Sequence, residues 1–113
     1  MPKYSDDVDA VLRALADPTR RAVVERLAAG PAIVSVLAEP FDMALPSLMQ
    51  HLGILEQAGI VTSEKVGRSR TVSLRPGGLD VLHLWLDGQR TPAERQADRL
   101  GIHLTRTAQK ETP

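Results

Sequence analysis

The hydrophobic period of this chain changes from helical to two at Gly59. From Ala44 to Ala58 apolar residues recur at helical spacing, with Leu45, Leu48, Met49, Leu52 and Leu55 on one face. Beyond Gly59, Val61 to Val66 and Ser69 to Leu74 alternate at period two around Gly67-Arg68, the pattern of a β-hairpin. A chain of 113 residues has room for about one core. The leucine-faced helix and the hairpin must therefore share it.

Earlier segments are helical. Ser5, Asp6, Asp7 and Asp9 cap and charge a helix start, and Val8, Val11, Leu12 and Leu15 follow at i, i+3, i+4, i+7. Asp17-Pro18 sets an N-cap residue before a proline at the first helical position, so a second helix is predicted from Pro18 to Ala29, stopped by Gly30-Pro31. Val34 to Glu39 reads as a short third helix ended by Pro40, and Ala44 to Ala58 as the fourth, closed by Gly59. After Pro76-Gly77-Gly78, the residues Leu79, Leu82, Trp85 and Leu86 form a fifth. Thr91-Pro92-Ala93-Glu94 is a capping box with proline at the first helical position, which predicts a break or sharp kink near Gly88 to Thr91 and a sixth helix from Pro92 to about Thr107. Residues 1–108 then make one domain, with 109–113 a frayed tail.

The absence of cysteine excludes disulfides, thiolate metal sites and cysteine nucleophiles. No apolar run is long enough to span a bilayer, and the N-terminus lacks the apolar stretch of a secretion signal, so a cytoplasmic protein without a membrane partner is expected. Basic and acidic residues balance at 14 each, but residues 46–75 carry four basic against two acidic side chains. That segment spans the fourth helix and the hairpin, and its Lys65, Arg68 and Arg70 lie around the hairpin turn.

A mainly α chain with a β-hairpin, ordered short helix, turn, longer helix and basic hairpin, is the order of a winged helix-turn-helix domain, in which the second helix of the pair enters the DNA major groove. With the leucines and Met49 turned inward, Ala44, Pro46, Ser47, Gln50, His51 and Ile54 remain on or near the outer face. Gln50 suits a bidentate pair with adenine, and Ser47 reaches a base edge or a phosphate. Lys65, Arg68 and Arg70 around the hairpin turn, with Ser69 between them, suit a phosphate strand or a minor groove. Edge-strand protection would also place cations there.

Three stretches resemble successive hallmarks of the ArsR-like winged-helix repressors: "ALADPTRR" from Ala14 to Arg21, "LPSLMQHLGILEQAGIV" from Leu45 to Val61, and "GRSRTVSL" from Gly67 to Leu74. "WLDGQR" from Trp85 to Arg90 and "DRL" from Asp98 to Leu100 resemble a subgroup without metal ligands. The resemblance implies a DNA-binding repressor that dimerises through its first and last helices and acts on a palindromic operator. The DNA-contacting set it implies is Leu45, Pro46, Ser47, Gln50, His51, Lys65, Arg68, Ser69 and Arg70. The dimer set is Val8, Val11, Leu12, Leu82, Trp85, Leu86, Leu100 and Leu104. The family usually has serine or threonine where Ala44 stands, serine at Met49 and a basic residue at Gly53.

No catalytic residues, metal or cofactor are expected. His83 and Asp87 share helical spacing but lack the third ligand a metal site needs, and the cluster Asp6, Asp7 and Asp9 complements a helix dipole. Double-stranded DNA and a second copy of the chain are the expected partners, and the surroundings of Trp85 leave room for a small-molecule effector. The competing reading is a winged-helix module that binds another protein, since the fold does not fix the function.

Overall fold

The computed structural model describes residues 3–99. Leu100, Leu104, the expected helical turns to Thr107 and the tail lie outside the described residues. The chain divides into two compact units, Met1–His83 and Leu84–Pro113. Its elements are α1 (Lys3–Leu15), α2 (Pro18–Leu27), β1 (Ala32–Ile33), α3 (Val34–Ala38), α4 (Leu45–Gln57), β2 (Val61–Val66), β3 (Ser69–Leu74) and α5 (Asp80–Gly88). The chain is helical again from 92 to 99.

Helix α2 begins where Asp17-Pro18 predicts, with the Asp17 carboxylate accepting from the Arg20 N–H at 3.0 Å. It ends two residues before the expected Ala29, because Ala29 and Gly30 donate to Arg26 and Leu27 in tighter i to i−3 bonds. Helix α4 ends in a Schellman motif. Gly59, at φ +79°, donates its N–H to the Glu56 carbonyl and Ile60 donates to Leu55, each at 3.0 Å. Leu55 and Ile60 are both fully buried, the hydrophobic contact that accompanies this cap.

The hairpin has the predicted strands, paired from Val61↔Leu74 to Val66↔Ser69. Of its two turn residues only Gly67 has positive φ, at +62°, as a type II′ turn requires. The short strand β1 was not predicted. It pairs antiparallel with β3 through Ala32↔Val72 and Ile33↔Thr71, giving a three-stranded sheet in the order β1-β3-β2. Gly78 closes the connection to α5 by packing so tightly that a Cβ would lie 2.7 Å from the Gly59 carbonyl oxygen.

The core of the first unit is built around α4. Leu48, Leu52 and Leu55 are buried in one cluster with Val11 and Ala14 of α1, Val23 and Leu27 of α2, Leu37 of α3, and Ile60, Val61 and Val72. Each fully buried large aliphatic side chain contributes about 1.5–3 kcal/mol, so this face holds both helix pair and sheet to α4. In the second unit the helix break lies at 89–91, and the capping box forms: Glu94 N–H donates to the Thr91 Oγ1 at 3.2 Å, while Thr91 N–H donates to Glu94 Oε1 at 3.3 Å. Arg90 pairs with Asp98 across the break.

Leu48→Ala is expected to lower unfolding free energy by about 3 kcal/mol, and Gly59→Ala by about 1 kcal/mol through strain at positive φ. Urea denaturation checks both, and a Leu48→Ala midpoint equal to that of the parent would contradict the placement of α4.

Candidate nucleic-acid interface

Two elements of the first unit form the candidate interface, the first turns of α4 and the β2-β3 wing. At about 3.6 residues per turn, Pro46 and Gln50 stand opposite the buried leucines. Leu45, Pro46, Ser47 and Gln50 are all exposed. The helix starts at Leu45 after Ala44, which makes no side-chain cap, and its first turn has no acidic residue. The positive end of its dipole therefore has no counter-charge in the helix itself.

His51 is less free than its neighbours. Its side chain is about one-fifth exposed, 22%, and its Nδ1 lies 3.2 Å from Nη1 of Arg20 and 3.8 Å from the Asp17 carboxylate. A guanidinium only donates, so Nδ1 accepts and the neutral ring carries its proton on Nε2. Arg20 does more than hold His51. Its Nε and Nη2 donate to the carbonyls of Ala14 at 2.6 Å and Arg13 at 3.1 Å, and Arg21 donates to Leu15 at 2.7 Å. The two arginines thus satisfy the last carbonyls of α1, which a helix leaves unpaired. Asp-Pro-Thr-Arg-Arg caps the start of one helix and the end of another, and ties both to α4. The motif is visible in the sequence, but the roles of Arg20 and Arg21 are not, because their acceptors are backbone atoms that leave no trace in residue type.

On the wing, Lys65, Arg68, Ser69 and Arg70 are exposed. Lys65 and Arg70 are paired across the strands, an arrangement of like charges that is unfavourable by itself and relieved by an anion. Arg70 is aimed by a chain of hydrogen bonds: Nη1 donates to the Ser63 hydroxyl at 3.0 Å, which donates to the Glu56 carboxylate on α4 at 2.8 Å. Glu56 and Ser63 were not singled out from the sequence. Leu45, Arg68, Ser69 and Arg70 come together on a groove of about 450 Å³ between the helix pair and the wing. Pro46, Ser47, Gln50 and His51 do not line it.

Met49 departs from expectation. It was assigned to the inward face with the leucines, but it is 39% exposed and lines the groove with Leu45 and Ile33. Only Leu48, Leu52 and Leu55 are covered by neighbours; the flank toward the wing stays open. Two residues of the expected dimer set also differ. Val8 and Val11 are already buried, Val11 within the core cluster, and have little surface left for a partner. Leu82 is half-buried against the same cluster, whereas Leu12, Trp85 and Leu86 are exposed. Among the described residues no three His, Asp or Glu side chains gather closely enough to hold a metal ion, and no helix is long and apolar enough to cross a membrane.

Residues 15–64 match a helix-turn-helix domain family. The chain is 44% identical over 79 residues to the HTH-type transcriptional regulator Rv2034 of Mycobacterium tuberculosis, covering 70% of this chain and 74% of that one. It is 38% identical over 82 residues to the HTH-type transcriptional repressor SmtB of the same species, covering 73% of this chain and 59% of SmtB. A crystal structure of an ArsR family transcriptional regulator superposes with a TM-score of 0.73 at 47% identity, over 79% of this chain and 92% of that one.

The Arg20 N–H, foremost, and the nearby Arg20 guanidinium charge hold the Asp17 carboxyl below its ordinary value of 3.8. A lowered folded-state value adds stability above the unfolded value that is lost as pH falls through the folded one. Wild type is therefore expected to lose more stability than Asp17→Asn as pH is lowered from 7 to below 3.8. Thermal midpoints across that range would show parallel curves if the charge had no such role.

Proposed function

The chain belongs to the ArsR family of helix-turn-helix transcriptional regulators, and from that premise we propose that it represses transcription as a homodimer on a two-fold symmetric operator. Regulators of this family bind double-stranded DNA. In the proposed complex α4 enters the major groove, with Gln50 and Ser47 at base edges, Leu45 and Pro46 at the point of entry, and His51 at the groove margin, donating from Nε2. Lys65, Arg68, Ser69 and Arg70 meet the flanking phosphates. The observation that supports this reading best is the position of the wing cations beside the outer turns of α4, where a groove-inserted helix brings the DNA backbone.

The dimer is proposed to form through the first and last helices. Leu12, Trp85 and Leu86 supply exposed apolar surface, with Leu82 behind them and Leu100 and Leu104 further along the chain. The absent cap at Ala44 weakens the start of α4 by about 1 kcal/mol, and Gly53 offers no phosphate contact, so affinity is moderate. Occupation of a promoter excludes polymerase, a small-molecule effector releases the dimer, and the work is done in the cytoplasm without a metal or cofactor.

Arg68→Ala is expected to weaken binding to every duplex and lower the salt slope by about one. Gln50→Ala should cost about 1–3 kcal/mol at a single base position. Fluorescence anisotropy over a salt series on duplexes selected from a random pool reads both. Binding insensitive to salt, or no duplex bound at low salt, would point instead to a protein partner. Leu86→Glu should shift sedimentation toward the monomer and weaken operator binding; an unchanged dimer would place the interface elsewhere.

A further inference from the structure

The surface assigned to DNA carries more apolar area than contact with phosphates requires. Leu45 is 52% exposed and Met49 39% on the wing-side flank of α4, and Ile33 at the edge of the sheet is 37% exposed. All three line the groove of about 450 Å³ whose other wall bears Arg68 and Arg70. Among the described residues no carboxylate forms an ion pair with either arginine or with Lys65. A partner covering this groove must present polyanionic charge to the wing and an apolar group to the helix flank at once.

B-DNA offers both. Its backbone supplies the phosphates, and the one apolar group on the floor of its major groove is the C5-methyl of thymine. We propose that Leu45 and Met49 read thymine methyl groups, with Ile33 closing the groove behind them, so that operator preference comes partly from hydrophobic contact. This rests on the reading of α4 as the groove-inserted helix. It assigns a specificity role to Met49 and a chemical target to Leu45. The contact is possible because neither side chain is used by the core, which is completed by Leu48, Leu52 and Leu55. Covering a methyl with both side chains removes apolar surface of each partner from water, and the wing arginines hold the backbone of that strand against the helix flank.

The test replaces single thymines by deoxyuridine in duplexes enriched from a random pool, which removes the methyl and leaves every base-pair hydrogen bond. Wild type is expected to lose about fourfold in affinity for each contacted methyl removed, at symmetric positions of the two half-sites. Leu45→Ser and Met49→Ser, both at exposed positions, should bind thymine and uracil duplexes alike there while keeping the wild-type salt slope. Equal wild-type affinity for all uracil-substituted duplexes would overturn the proposal, as would an undiminished uracil penalty in both serine variants. In those two cases the helix-in-groove reading stands by itself; failure to enrich any duplex removes both.

Discussion

Burial of one face of α4 is the constraint on which the rest of the first unit depends. Leu48, Leu52 and Leu55 share one buried cluster with side chains of the α1-α2 pair, α3 and the sheet. Because hydrophobic burial is non-directional, this packing fixes the rotation of α4 about its axis only through which side chains it removes from water. Once these three are inside, geometry leaves Pro46 and Gln50 outermost. The proposed recognition surface is therefore a by-product of the core.

Polar contacts refine that placement. Asp17 and Arg20 close the junction between α1 and α2 using backbone groups that would otherwise face solvent unpaired, and Arg20 extends the junction to His51 on α4. These contacts lie near the surface, where each is worth little as an isolated ion pair. Their effect is orientational: a guanidinium engaged at Nε, Nη1 and Nη2 restricts the angle between helices in a way that leucine packing does not. On the other side of α4, the Glu56-Ser63-Arg70 chain restrains the wing in the same manner. Helix α4 is flanked by two such restraints, one toward α2 and one toward the sheet.

The groove between helix and wing has an electrostatic and an apolar side, and the two have different origins. Cations gather there because the turn and the start of β3 bring Arg68 and Arg70 to it. Apolar surface gathers there because the apolar stripe of α4, from Leu45 to Leu55, is wider than the area its neighbours cover. A stripe that exceeds its cover leaves a flank in water, and such a flank is useful where a partner with apolar groups arrives.

Much of this was legible before any coordinates. Asp17-Pro18, Gly59, Gly67 and Thr91-Pro92-Ala93-Glu94 act through their own backbone and nearest neighbours, so their positions follow from local chemistry, and the switch of period at Gly59 was enough to order helix before hairpin. Strand β1 was invisible because two residues carry no period, and its pairing depends on where β3 lies. The inward assignment of Met49 failed because periodicity ranks residues by face but does not say how far a neighbouring element extends across that face. The burial of Val11 in the core was illegible for the same reason, since an apolar position on a terminal helix serves core or interface according to what packs upon it. Short-range steric and hydrogen-bonding preferences are written in the sequence, and they set where α2 begins, where α4 ends and where the hairpin turns. Tertiary structure alone decided which apolar side chains are used up in the core and which remain for a partner, because burial depends on surfaces that meet only after the chain has folded.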